Sequence, residues 1–257
     1  MNLITSRDNP HVKAWRRLAQ DSTAYRKAGQ FWLEGDHLCR AAIDRGVQPL
    51  QIILSRSCFE EQGVMWAALT DALFVLPDEL FASLSGLESP AQMGFVVACP
   101  VKGQILSEAS TVVLDRLQDA GNVGAILRCA SAFGYRQVLA IKGTAALWSP
   151  KVLRAGMGAH FGLHLVESVS DTDIALLSLP VLTTSSHEGP FLHELLQSGK
   201  LPKKCAWVFG HEGQGVSDSL MTLAGQKVRI AQPGGEESLN VATAAAICLH
   251  ASATVAV

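Results

Sequence analysis

The sequence predicts an α/β protein with a mainly parallel sheet in its C-terminal part and a smaller α/β unit before it. Short apolar runs typical of strands alternate with segments of helical periodicity along all 257 residues. The chain has no internal repeat and no low-complexity tract that would indicate a repeat protein or a disordered one. Strands separated by helices favour parallel pairing, so we expect ligands at the carboxyl ends of the strands.

The N-terminal part is predicted as a small α/β unit. Its strands are expected at residues 31–33, 51–54, 73–76 and 94–98, and its helices at residues 36–45 and from Pro77 onwards. Pro100 interrupts the pattern, and the polar stretch after it indicates a connection. We therefore predict a domain of residues 1–100, a linker of residues 101–110 and a second domain of residues 111–257.

The C-terminal part begins with a strand of buried type at residues 111–115. A loop leads to a helix over residues 122–133, which Gly134 ends. Ser149 and Pro150 are residue types of an N-cap and a first helical position. Further strands are predicted at residues 137–141, 181–184, 206–209 and 228–230. An alanine-rich helix is predicted over residues 238–253, with Ser238 as its N-cap.

Composition indicates a globular protein, with 48% hydrophobic and 17% charged residues. The chain has no apolar run of roughly 18 residues and no N-terminal stretch of signal-peptide type, so we expect a cytoplasmic protein without a membrane span. The six cysteines are scattered without a CxxC pair, which predicts reduced thiols and no metal site.

The formal net charge of −2 gives no sign of general affinity for nucleic acid, but the charges are unevenly distributed. The first 30 residues contain a local basic excess, namely Arg7, Lys13, Arg16, Arg17, Arg26 and Lys27 against Asp8 and Asp21. This excess is compatible with phosphate contacts and equally with a solvated helix face.

Three glycine-rich loops follow predicted strands and carry polar residues that a structural loop would not need. In the first, Gly121, Gly124 and Arg128 share one helix face. Glycine there lowers helix stability by roughly 1 kcal/mol relative to alanine, so we expect open space beside Arg128. A chance glycine pair beside a solvated arginine is the alternative.

The second loop is Gly210-His-Glu212-Gly-Gln-Gly215, where three glycines allow close backbone approach to a ligand and Glu212 is the one charged group. The third runs from Ile230 to Asn240 and leads into a helix N-terminus, whose free N–H groups bind oxygen ligands. Asn240 is a poor helix former early in the predicted helix, which indicates a hydrogen-bonding role. A tight turn and a capped helix are the purely structural alternatives.

Other catalytic signatures are missing from the sequence. It contains no GxxxxGK[ST] phosphate loop, no GxSxG nucleophile elbow and no cluster of His, Cys and carboxylates with metal-ligand spacing.

In this order, the three loops resemble the three motifs of the SpoU (TrmH-like) RNA 2′-O-ribose methyltransferases, a branch of the SPOUT superfamily. The run Asn122-Val-Gly-Ala-Ile-Leu-Arg128 is similar to motif 1, the Glu212 loop to motif 2, and the segment from Ile230 through Ser238-Leu-Asn240 to motif 3. The resemblance covers residues 111–253. Ser149-Pro-Lys151, with Arg154 and Gly158, matches a further family segment. Less specifically, residues 5–10 and 31–35 resemble the family's substrate-binding domain, related to ribosomal proteins of the L30e/L7Ae type.

The resemblance implies a deep trefoil knot, S-adenosylmethionine bound in the knot and no metal. It also implies a homodimer with the active site at the subunit interface, acting on structured RNA. Arg128 would act on the ribose 2′-hydroxyl. The residues that would position it and the RNA are Asn122, Glu212, Ser238 and Asn240. The cofactor slot would be lined by Gly210, Ile230 and Leu239, with Thr184 nearby.

Two points stay open on the sequence alone. Ribosomal RNA is the favoured substrate, transfer RNA is the alternative, and an RNA-binding protein that has lost catalysis is an alternative of another class. The family usually has Ile-Pro-Met at the start of motif 3, where this chain has Ile230-Ala231-Gln232. The cofactor loop is therefore expected to differ in shape.

Because a guanidinium stays protonated in proteins, Arg128 is expected to stabilise developing negative charge rather than act as a free base.

Overall fold

The computed structural model of the protein describes residues 1–86, 90–101, 103–234 and 238–256. Lys102 of the predicted linker and Gly235 of the third loop lie outside the described residues. The strands are β1 (Asn2–Leu3), β2 (Gln30–Glu34), β3 (Gln51–Ser55), β4 (Leu73–Leu76), β5 (Met93–Ala98), β6 (Thr111–Asp115), β7 (Gln137–Ile141), β8 (His164–Val169), β9 (Val181–Thr184), β10 (Ala206–Gly210) and β11 (Gln226–Val228). The helices are α1 (Pro10–Gln20), α2 (Ala24–Ala28), α3 (Asp36–Asp44), α4 (Arg56–Ala67), α5 (Asp78–Ala82), α6 (Ala120–Ala132), α7 (Pro150–Gly156), α8 (Asp171–Ile174), α9 (Leu192–Gln197), α10 (Asp218–Leu223) and α11 (Val241–Ala256). None of these helices is long and apolar enough to cross a membrane.

Two units make up the chain. Unit 1 contains Met1–Val101 and Trp148–Phe161, and unit 2 contains Lys102–Leu147 and Gly162–Val257. The sheet of unit 1 has the order β1-β4-β3-β5-β2, in which β5 runs antiparallel to both of its neighbours. The other pairs in this sheet are parallel.

Helix α1 contains part of the basic N-terminal segment and places its side chains on two different faces. The Asn9 side chain accepts a hydrogen bond from the His11 amide at 2.9 Å, and Pro10 occupies the first helical position. Val12, Trp15 and Leu18 recur at helical spacing and are buried in the core of unit 1. The basic residues of α1 therefore lie on the face away from that core.

Residues 148–161 belong to unit 1, although they follow β6 and β7 of unit 2 in the chain. Ser149 caps α7 by accepting from the Val152 amide at 3.4 Å, as its residue type predicts. The ring of Trp148 packs against Phe31 of β2, with 4.8 Å between ring centroids. At Gly158, a Cβ would come within 2.8 Å of the Cβ of Ala41 on α3, so this contact needs glycine.

Unit 2 is built on a six-stranded sheet of order β11-β9-β10-β6-β7-β8, in which every described pair is parallel. The predicted α/β class with a mainly parallel C-terminal sheet is thus confirmed. The strands carry apolar side chains on both faces, as expected of a sheet covered by helices. Helix α11 packs against α6, and the Trp207 indole donates to Ser252 at 2.8 Å, which joins α11 to β10.

Several predicted boundaries differ from the structure. The last strand is Gln226–Val228 rather than residues 228–230, because its parallel register with β9 pairs Gln226 with Leu182. The final helix begins at Val241, so Ser238 is not its N-cap. Helix α6 begins at Ala120, because Asp119 caps it by accepting from the Asn122 amide at 2.7 Å. Strand β8 and helices α1 and α4 were not predicted as elements.

Candidate active site

The three predicted loops follow strands that lie close together in the sheet of unit 2. Strands β6 and β10 are neighbours, with Asp115 paired to Gly210, so the first and second loops leave the sheet side by side. Strand β11, which leads to the third loop, lies two positions from β10 across β9. All these strands are parallel, so the three loops share the carboxyl edge of one sheet, as the sequence predicted.

A continuous chain of hydrogen bonds joins one residue from each loop. The Glu212 carboxylate accepts from the Asn122 side-chain amide at 3.2 Å. The Asn122 side-chain oxygen accepts from the Asn240 side-chain amide at 3.0 Å. Three of the predicted catalytic residues are therefore brought into one network, and each fixes the orientation of the next.

The Glu212 carboxylate also organises the start of the first loop. It accepts from the backbone amides of Gln118 at 3.2 Å and Asp119 at 3.1 Å. Partial burial raises the pKa of Glu212, but these hydrogen bonds, with those from its own amide and from Asn122, outweigh burial and lower the pKa. Glu212 is therefore an ionised acceptor at neutral pH.

The turn of the second loop is held by His211. Its Nδ1 atom accepts from the amides of Gly213 at 3.0 Å and Gln214 at 3.2 Å. A Cβ at Gly210 would overlap the backbone of Gly215, so the loop folds back directly over the end of β10. His211 thus shapes the loop that presents Glu212.

Arg128 is exposed on α6, and its guanidinium has no hydrogen-bond or ion-pair partner among the described residues. The expectation of an open glycine face beside it is only partly met. Gly121 is exposed, where a Cβ would meet the Asp119 carboxylate at 3.0 Å, but Gly124 is buried. One of the two glycines therefore serves packing within unit 2.

Asn240 is the residue that precedes α11, not a residue inside the helix. Its side-chain oxygen accepts from the amides of Ala242 at 2.9 Å and Thr243 at 3.2 Å, which is the geometry of an N-cap. Ser238 and Leu239 are exposed in the irregular segment before it. In the described part of the chain, Ser238 has no hydrogen bond to the Glu212–Asn122–Asn240 network.

The residues predicted for the cofactor slot lie at or after the ends of three adjacent strands. Thr184 ends β9 and Gly210 ends β10, while Ile230 lies two residues beyond β11. Thr184 is paired with Val228. Leu239 is 36% exposed and does not lie at a strand end, because it belongs to the segment just before α11. The structure therefore groups Thr184, Gly210 and Ile230 at one edge.

Asp115 was not predicted from the sequence to be part of this site. Its side chain is fully buried and accepts from Arg116 Nε at 2.8 Å and from the Ser217 amide at 2.6 Å. Arg116 in turn donates to the Gln214 side chain at 3.1 Å. Asp115 thus ties the first loop to the second. A carboxylate ending an otherwise apolar strand was the available signal.

Comparison with known proteins gives a consistent assignment. The SpoU rRNA Methylase family model matches residues 109–250, and the MRM3-like substrate binding domain model matches residues 9–94. The chain is 28% identical to the 23S rRNA (guanosine(2553)-2′-O)-methyltransferase RlmP of Bacillus subtilis, over 97% of this chain and 98% of that protein.

Solved structures show the same fold. A TrmH-family protein of Porphyromonas gingivalis is 28% identical, with a TM-score of 0.81 over 95% of this chain and 97% of that one. The SpoU methyltransferase AviRb of Streptomyces viridochromogenes, solved in complex with AdoMet, has a TM-score of 0.83 at 21% identity over 96% of this chain and 97% of that one. The family model spans more than half of the chain and contains all three loops. This chain belongs to the SpoU rRNA methylase family.

Proposed function

We propose that the protein transfers a methyl group from S-adenosylmethionine to a ribose 2′-hydroxyl of ribosomal RNA. The observation that carries this proposal is the hydrogen-bonded network of Glu212, Asn122 and Asn240, one residue from each family motif. Arg128, on the same helix as Asn122, keeps its guanidinium available for substrate. A decayed active site would not need to keep these contacts, which favours an enzyme over an inactive RNA-binding protein.

The residues at the ends of β9, β10 and β11 fit a polar cofactor. Gln232 has a buried side-chain oxygen without a hydrogen-bond partner in the described part of the chain. An unpaired buried acceptor is unfavourable by about 1–3 kcal/mol, so it indicates a missing donor. The amino groups of S-adenosylmethionine are donors of that kind. Thr184, Gly210, Ile230 and Leu239 would hold the cofactor, which supplies an electrophilic methyl group when bound.

The other requirements of methyl transfer are met by residues of the chain itself. Arg128 stabilises the alkoxide that develops as the 2′-hydroxyl releases its proton to solvent water, and it also binds the adjacent phosphate. The Glu212–Asn122–Asn240 network holds the first loop and the start of α11 in register, and Ser238 contributes to positioning the RNA. Holding the hydroxyl close to the methyl group supplies much of the remaining rate enhancement. No metal is part of this mechanism.

The assembly expected of the family is part of the proposal. It comprises a trefoil knot in unit 2, a substrate-binding domain of the L30e type at residues 1–100 joined by a linker at residues 101–110, and a cytoplasmic homodimer. The knot is proposed from family membership, and the strand order, with β9 and β10 on the opposite side of β6 from β7 and β8, is compatible with it. An apolar groove of about 670 Å³ beside α11 supports the dimer.

The test is to map 2′-O-methylated nucleotides in total RNA from a strain that lacks the gene and from its parent. We expect one ribosomal position to lose its methyl group and to regain it when the wild-type gene, but not an Arg128→Ala gene, is returned. A lost methyl group in transfer RNA would assign the alternative substrate. If every 2′-O-methyl group is retained and calorimetry detects no binding of S-adenosylmethionine, the enzymatic proposal is wrong.

A further inference from the structure

Unit 1 contains a cavity of about 450 Å³ that none of the residues assigned to methyl transfer lines. Its volume lies within the range of roughly 300–1,000 Å³ that is typical of small-ligand sites. The polar and aromatic residues that matter for its chemistry are Gln20, Ser22, Trp32, Glu34, Lys151 and Arg154. They come from the α1–α2 segment, β2 and α7, which the fold of unit 1 brings together.

Glu34 presents a fixed carboxylate to this cavity. One of its oxygens accepts from the buried Trp32 indole at 3.1 Å, and the other accepts from the Ala91 amide at 3.3 Å. An ionised carboxylate has about four acceptor positions, so both oxygens keep capacity for another hydrogen bond. The cavity therefore offers two adjacent acceptors held in one orientation.

Two cations line the same cavity as Glu34. Lys151 and Arg154 line the cavity, are exposed and lie three residues apart on α7, so they share a face of that helix. Neither side chain has a hydrogen bond or an ion pair within the described residues. Their charges are therefore available to a phosphate.

A basic surface leads to the cavity along α1. Gln20 lines the cavity and also a shallow depression, whose other lining residues are Lys13, Arg16, Arg17 and the single acid Asp21. The Arg16 guanidinium is held by Ser83, whereas Lys13 pairs with Asp8 on an exposed surface, where an ion pair contributes little. An RNA strand whose phosphates bind this surface would place one of its nucleotides at the cavity.

We propose that this cavity receives one unstacked guanine nucleotide of the RNA substrate, with its base edge on Glu34 and its phosphate on Lys151 and Arg154. Proteins read RNA mainly through splayed-out bases, which they bind on their Watson–Crick edges. Guanine has a ring N–H beside an exocyclic amino group, two donors that match the two oxygens of one carboxylate. This inference rests on the proposed RNA substrate and adds a recognition site to it.

The first experiment uses the full chain and the four nucleoside 5′-monophosphates. In ¹H–¹⁵N spectra, 5′-GMP should shift the Trp32 indole resonance and saturate at a concentration about tenfold or more below that needed for AMP, CMP or UMP. Glu34→Gln, which keeps an acceptor for Trp32 but replaces one oxygen with a donor, should abolish the preference. Equal binding of all four nucleotides, or a preference that survives Glu34→Gln, would overturn the proposal.

The second experiment measures binding of a ribosomal RNA transcript at several salt concentrations. The double variant Lys151→Ala/Arg154→Ala should lower the slope of log affinity against log salt by about 0.7 for each lost phosphate contact. The matched control Arg45→Ala/Arg56→Ala removes two exposed cations of the same unit that do not line the cavity. Equal slopes in the two double variants would contradict the phosphate contacts.

A third variant tests the cavity without touching the core. Ser22→Trp places a large side chain at its exposed rim and should weaken transcript binding while leaving the affinity for S-adenosylmethionine unchanged. If the wild type methylates the transcript and Ser22→Trp does so with an unchanged KM, the cavity proposal fails and the proposed function stands. If the wild type methylates no ribosomal or transfer RNA, the proposed function itself fails.

Discussion

Arg128 is the residue on which the proposed chemistry depends most directly. Arg128→Lys keeps the charge but removes the planar pair of donors. We expect the rate of methyl transfer to fall by about 100-fold or more, which is typical for loss of a donor to a developing oxyanion. Calorimetry should show unchanged affinity for S-adenosylmethionine. The control is Arg136→Lys, an exposed arginine outside the proposed site, which should keep full activity. Near-normal turnover of Arg128→Lys would show that guanidinium geometry is not needed.

Glu212 makes the site sensitive to acid. Its pKa is lowered in the folded state by hydrogen bonds to the carboxylate, which outweigh the effect of burial. The stability that this contributes is complete above the unfolded pKa of about 4.3 and is lost as the pH falls through the lower folded pKa. The Tm difference between wild type and Glu212→Gln should therefore be largest near pH 7 and shrink below about pH 4. A difference that is constant from pH 7 to pH 3 would contradict this account.

At the scale of the element, α11 begins at a residue that has two functions. The Asn240 oxygen caps the helix, while the Asn240 amide donates to Asn122. Asn240→Ala should lose about 1 kcal/mol of unfolding free energy and much of the activity. Asn240→Ser keeps a good cap but is too short for Asn122. Urea denaturation should show near-wild-type stability for Asn240→Ser, while a methyl-transfer assay shows reduced activity. Full activity of the serine variant would mean that the Asn122 contact is dispensable.

The two strands that end in the first and second loops explain why those loops meet. Asp115 and Gly210 are paired across β6 and β10, so a carboxylate at one strand end can hold the Ser217 amide just beyond the other. Replacing Asp115 by Asn should loosen both loops, because the half-buried Arg116 loses its charge partner.

At the scale of the whole molecule, the groove beside α11 bears on the oligomeric state. Ile247 lines this groove and is an apolar residue of α11 that is 38% exposed. If a second copy covers the groove, Ile247→Glu should convert a dimer into a monomer, as measured by light scattering after size-exclusion chromatography. Leu176→Glu, at a residue 60% exposed and away from the groove, is the matched control and should remain dimeric. A monomeric wild type would contradict the predicted homodimer.

Much of unit 2 was predictable because its apolar strands are bounded by glycine and polar residues. The sequence located β6, β7 and β9 to the residue. The motif order named Asn122, Glu212 and Asn240, which the structure joins by hydrogen bonds. Features set by distant partners were not predictable. The register of β11 depends on β9, and the cap of α11 depends on where the third loop ends. The Trp148–Phe31 contact helps to place residues 148–161 in unit 1. It joins rings that are 117 residues apart in the sequence, so the local sequence pattern could not predict it.

That contact has a consequence for synthesis on the ribosome. Unit 1 lacks part of its packing until residue 161 has been made, since Trp148 and α7 cover β2 only then. At about 5–20 residues per second, several seconds pass after residue 101 before Phe31 can gain its contact with Trp148. An N-terminal fragment ending near residue 101 would remain in that unfinished state. Unit 1 is therefore expected to complete its packing only after part of unit 2 has been synthesised.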